Sequence, residues 1–176
     1  SWKPYFGTLG RWCWYQQHKS ALTPQEHGPR WIAEEDWAHL KCSRGGGIWV
    51  PKVQAEEIDG VTQFLTEHTQ SDERVFTFPE HGIFNFFADR LGVSRFDVTA
   101  FALTAPEWRR ETLEALRQQR PRFVVKGRFL SRLAGGIMGL HEEMLPEVGS
   151  YLRAHYRLVR RFPSVEILEL QRTIHE

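Results

Sequence analysis

The chain has 176 residues, 41% of them hydrophobic and 26% charged, with a formal net charge of +1. That is the composition of one ordinary globular domain long enough to bury a core, and it excludes a general electrostatic field for nucleic acid. The two cysteines, Cys13 and Cys42, exclude a disulfide scaffold but leave either one bridge or two free thiols open, and the lack of any run of about 18 apolar residues leaves no membrane-spanning helix to expect.

In chain order, Ser1-Trp2-Lys3-Pro4 opens abruptly without an apolar leader, which points to a longer parent protein. Residues 1–43 form an aromatic-rich N-terminal segment carrying Trp2, Trp12, Trp14, Trp31 and Trp37. Pro4, Gly7, Gly10, Pro24, Gly28 and Pro29 break any long periodicity, so the expectation is irregular structure with one short helix over 32–40. Such a segment either packs on the main domain or lies at a bilayer interface, where indole rings are favoured. Gly45-Gly46-Gly47 reads as a flexible joint at the start of a compact domain spanning 44–176.

Within that domain, Ala55, Ile58, Val61, Phe64 and Leu65 fall at helical intervals and predict a helix over 54–67. Val75 to Phe78 is a short apolar run that reads as a buried strand, stopped at Pro79 because proline cannot donate to a ladder. Gly82 permits a turn, and Ile83, Phe84, Phe86, Phe87 and Leu91 then suit a helix face. Arg95 to Phe101 is β-prone, either a second strand or an extended loop. Pro106 and Glu107 open a helix that ends before Pro121, and Arg122 to Lys126 is a strand. Strand, helix and strand make a βαβ unit, hence a parallel pair. Residues 129–144, with three glycines, read as a mobile loop. Leu145-Pro146-Glu147 starts another helix, and two strands flank Phe162-Pro163-Ser164. The last, 165–170, alternates cleanly and is expected half exposed at a sheet edge. The fold class expected is three-layer α/β/α, with a small, mostly parallel sheet and an antiparallel edge strand near the C-terminus.

Chemistry is sparse. There is no CxxC or HExxH, adjacent His141-Glu142-Glu143 would diverge on a helix, and Glu35 with His39 suits a solvated pair as well as a shared cation, so no metal site is expected. Neither glycine cluster matches a phosphate loop, G-x-S-x-G is absent, and no cofactor is expected. Glu80 and His81 remain, placed by a strand–turn–helix reading at the carboxyl end of a strand, where α/β sheets tend to bind ligands. Glu beside His suits acid–base work, and equally suits capping a helix and binding water. Glu80, His81, Asn85 and Arg90 are the ligand- or partner-contacting candidates, Asp89 with Arg90 pairs most simply with neighbours at the helix end, and no residue is assigned as catalytic.

Three stretches carry a resemblance: Arg44-Gly45-Gly46-Gly47-Ile48-Trp49-Val50-Pro51, then Val75 to Gly82, then Phe84 to Arg90. Together with Leu113 to Val125 and Tyr151 to Leu170, this resembles the soluble C-terminal region of bacterial multi-spanning membrane glycosyltransferases, the GT-C enzymes similar to protein mannosyltransferases and aminoarabinose transferases. The resemblance covers about residues 44–172 and leaves 1–43 outside it. The family's acidic catalytic residues sit in an early loop between membrane helices that nothing here matches. The resemblance therefore implies a non-catalytic domain on the extracytoplasmic (periplasmic) side of a bacterial membrane. It would help shape an acceptor or lipid-linked sugar site, with the membrane-spanning part of the same parent chain as partner. Two rivals are a free-standing small hydrolase-like enzyme using Glu80 and His81, and an interaction module whose aromatic N-terminal segment docks a partner.

Overall fold

The computed structural model describes residues 36–79, 82–96, 105–127 and 145–171. Their elements are β1 (Trp37–His39), β2 (Trp49–Pro51), α1 (Lys52–His68), β3 (Arg74–Phe78), α2 (Ile83–Ala88), β4 (Leu91–Gly92), α3 (Pro106–Gln119), β5 (Phe123–Gly127), α4 (Pro146–His155), β6 (Tyr156–Arg161) and β7 (Val165–Leu170), with one 3₁₀ turn at Ser43–Gly45. The main sheet has the order β4-β3-β5-β7-β6. β3 is parallel to both β4 and β5, while β7 runs antiparallel to β5 and β6. Four strands therefore point one way and β7 alone opposes them. The mixed α/β class expected from the sequence is what the chain adopts.

The pleat explains the layers. Val75, Phe123, Val125, Val165 and Ile167 project to one face, under Val61, Phe64 and Leu65 of α1 and Phe84 and Ala88 of α2. Phe76, Phe78, Val124 and Leu168 project to the other, under Leu116 of α3 and Val148 and Leu152 of α4. β3 and β5 are apolar on both faces because both faces are covered. Gly60 lets the two layers meet closely: a Cβ there would stand 2.9 Å from the Phe162 ring in the β6–β7 turn.

Several expectations need correction. Residues 165–170 are not at the edge; β7 sits between β5 and β6, and β6 is the outer strand. Alternation in β7 arises because Glu166 and Glu169 reach arginines of β6, not because a face is bare. The sheet's central strand is β5, with β3 beside it. The helix expected over 32–40 is, where described, strand β1, paired antiparallel with β2. Pairing satisfies its backbone while Ala38 and Leu40 pack with Val50 and Phe87. The glycine joint is the packed end of this hairpin: a Cβ on Gly45 would lie 2.7 Å from both Cys42 Sγ and Leu40 Cβ. The 43/44 division falls inside the β1–β2 connection. Of the 95–101 stretch, Arg95 ends a bend and Phe96 is irregular; the rest, the loop over 129–144 and residues 1–35 lie outside the described residues. The parallel neighbour of β3 on that side is instead the two-residue β4.

Candidate functional site

The segment after β3 follows the expected strand, proline and helix, but the helix is shorter than expected: Leu91 opens β4 and is exposed, and only Phe84 and Phe87 of the expected face are buried. Arg74–Phe78 ends at a cis Phe78–Pro79 peptide bond, and α2 follows from Ile83. Glu80 and His81 lie outside the described residues. Asn85 is buried, 6% exposed, and its Nδ2 donates to the Val75 carbonyl at 3.3 Å; its Oδ1 has no hydrogen-bond partner among the described residues. Asp89 closes α2 in the left-handed region at φ 54°, a conformation Asp tolerates.

Arg90 is a staple. Its Nε donates to Thr69 Oγ1 at 2.7 Å, one terminal nitrogen donates to the Thr69 carbonyl at 2.8 Å, and the other donates to the Ala88 and Asp89 carbonyls at 2.8 and 3.1 Å. Thr69 Oγ1 in turn donates to Leu65 O at the end of α1. One planar guanidinium thus satisfies the open carbonyl ends of two helices, which a lysine ammonium cannot do in that geometry.

Sequence reasoning missed the groups around it. Arg44, in the hairpin turn, pairs with Asp89 at 2.6 Å, donates to the Phe86 carbonyl at 3.4 Å and lies 5.4 Å from the Phe86 ring centroid. A cation there also complements the negative end of α2. Asp59 accepts the Lys41 and Cys42 backbone N–H groups, at 2.9 and 3.0 Å, fixing the hairpin to α1. Burial, and then the Asp59 charge, push the Cys42 thiol up from its ordinary value. Glu57 accepts the backbone N–H of Ser164 at 2.6 Å and the Ser164 hydroxyl, tying the β6–β7 turn to the same helix. None of these pairs is close in sequence, so no spacing rule could have found them.

Among the described residues, α2 turns two apolar side chains outward beside the exposed Asp89. Phe86 is 54% exposed and Ile83, one turn earlier on the same helix face, 38%. A separate groove of about 560 Å³ runs between α3 and α4, lined by Leu113, Arg117, Tyr151 and His155 among others, away from Asn85 and Arg90. Among the described residues no group of three or more His, Cys, Asp or Glu side chains could hold a metal ion, and no helix is long and apolar enough to cross a membrane.

No family model matches the chain, and no curated protein matches it. Among solved structures, it is similar to the C-terminal globular domain of an oligosaccharyltransferase from Archaeoglobus fulgidus. The two are 18% identical, with a TM-score of 0.39, over 69% of this chain and 99% of that one. A likeness that slight carries no argument about what this chain does.

Proposed function

We propose that the chain is a non-catalytic extracytoplasmic domain of a membrane glycosyltransferase-like protein, and that its 79–90 segment faces the acceptor or lipid-linked sugar site of the membrane-spanning part. The sequence resemblance over 44–172 motivates this reading. The observation that carries it is the use made of Asn85 and Arg90. The Asn85 amide nitrogen and every Arg90 nitrogen are spent on backbone carbonyls and Thr69, while Ile83 and Phe86 are presented to solvent. The described part of the segment therefore offers an apolar contact face held rigid by polar groups beneath it. Contact surfaces with an exposed aromatic anchor suit docking against another protein surface.

The test uses the parent protein with its membrane helices, assayed for sugar transfer from a lipid-linked donor. Phe86→Ser with Ile83→Ser is expected to lower transfer at least about tenfold, the loss typical of removing an interface anchor, while the isolated 176-residue chain shows no turnover. Unchanged transfer in the double variant, or turnover by the isolated chain, would sink the reading.

A further inference from the structure

One of the chain's basic clusters stands at a sheet edge. Residues 153–170 hold Arg153, Arg157, Arg160 and Arg161 against Glu166 and Glu169, in a chain whose whole net charge is +1. Three of these arginines lie on β6, and every β6 residue after Tyr156 is exposed. β6 pairs with β7 on one side and with no strand on the other among the described residues.

The register places the arginines on both sides of that edge. Arg157 stands opposite Glu169, on the α1 face, and Arg161 opposite Glu166, on the α3/α4 face. Glu169 is shared: Arg157 binds one of its oxygens at 2.9 Å and Arg122 the other at 3.3 Å, so two guanidinium groups face one carboxylate. Arg160 has no ion pair among the described residues; its guanidinium lies 5.0 Å from the Phe162 ring centroid and 5.7 Å from that of Phe64. Between the arginines, Leu158 and Val159 are 46% and 39% exposed. The ladder is irregular between Leu158 and Arg160.

We propose that the β6 edge docks on an anionic bilayer surface, with the arginines on lipid phosphates and Leu158 and Val159 at the headgroup boundary. Guanidinium groups bind phosphate oxygens in a two-pronged fork, and basic residues near an anionic leaflet add attraction that falls away within a Debye length. Arginines leaving the sheet on both faces, with aliphatic side chains between them, suit a sheet standing edge-on to a plane of phosphates. The same charges disfavour a second copy as occupant, since strand pairing would set arginine against arginine. The proposal leans on the proposed function only in placing a bilayer nearby.

The test is cosedimentation of the whole chain with vesicles of phosphatidylcholine, with and without phosphatidylglycerol. Binding is expected to the anionic vesicles alone and to disappear on raising salt. Arg160→Glu, chosen because Arg160 has no carboxylate partner to strand, should weaken it at least about fivefold with an unchanged melting curve. Leu158→Ser with Val159→Ser should weaken it while leaving its salt dependence in place. Equal binding to neutral vesicles, no binding at low salt, or full binding by a folded Arg160→Glu variant overturns the proposal. Capture of an acidic peptide without capture of vesicles overturns it too, in favour of a peptide-binding edge. Vesicle binding in a chain whose removal leaves the parent's transfer intact would sink the accessory-domain reading and spare this one.

Discussion

The two helical layers are attached to the sheet in different ways. On the α1/α2 side, charged groups reach across long sequence intervals to backbone: Arg90 to Thr69, Asp59 to Lys41 and Cys42, Glu57 to Ser164, Arg44 to Phe86. On the α3/α4 side the attachment is mostly apolar, through Phe76, Phe78, Leu116, Leu145, Val148 and Leu152. Its interior polar ties are neutral, Gln119 to the Val93 carbonyl and the buried Tyr156 hydroxyl to the Pro121 carbonyl, and its ion pair of Arg95 with Glu111 is exposed. Burial pushes the Tyr156 phenol up, so it stays a neutral donor. The difference tracks element length. α3 and α4 run 14 and 10 residues and set Leu116, Val148 and Leu152 into the core, whereas the six-residue α2 and the three-residue hairpin strands bury little area each and are held by polar staples.

The sharpest way to break this comparison is to truncate the apolar side. Phe76 is 2% exposed against Phe78, Leu116 and Leu152, so Phe76→Ala is expected to cost about 3–5 kcal/mol. That is a large part of the stability of a domain this size. Chemical denaturation followed by circular dichroism checks it; a loss well below 1 kcal/mol would mean that this face is loosely packed and the contrast false.

On the stapled side the same logic predicts a smaller loss with a different chemistry. Arg90→Ala removes no core volume but leaves the Thr69 and Ala88 carbonyls without their donor, and is expected to cost about 1–3 kcal/mol. Arg90→Lys should recover only part of it, since a single ammonium cannot span both helix ends. Hydrogen exchange should show the opening concentrated at the end of α1 and in α2. A full rescue by lysine would make the effect one of charge and not of geometry.

This contrast also separates what could be read from the sequence from what could not. α1 was legible from its own apolar periodicity, as Val61, Phe64 and Leu65 show, α3 from Pro106 and Glu107 at its start, and β5 from a short continuous apolar run covered on both faces. The Val75–Phe78 strand was legible for the same reason, and Pro79 marked its end. β1 and β4 were not, because strands of three and two residues carry no period and exist only through their partners. The place of β7 was misread because charged side chains facing an outer strand look the same in sequence as side chains facing water. Of the candidate residues, Asn85 and Arg90 have partners, Val75 and Thr69, that lie 10 and 21 residues back, which no local rule reaches.

The smallest expected effect lies at the β6–β7 edge, outside both layers, where charge acts close to solvent. The Arg157 hydrogen bond, against an opposing effect of burial and helped by a weaker Arg122 hydrogen bond, holds the Glu169 carboxyl below its ordinary value of 4.5. A carboxylate whose folded-state value is depressed adds stability above its unfolded value and loses it as pH falls through the folded one. Glu169→Gln should therefore lower stability slightly at neutral pH, and the gap to the native chain should close as pH falls below 4.5. Both arginines are about half exposed or more, so screening keeps the gap well under that of Arg90→Ala, and added salt should narrow it further. Thermal melts of the two proteins across pH measure this directly. A gap that persists unchanged into acid would show that Glu169 acts through the hydrogen bonds of its side chain and not through its charge.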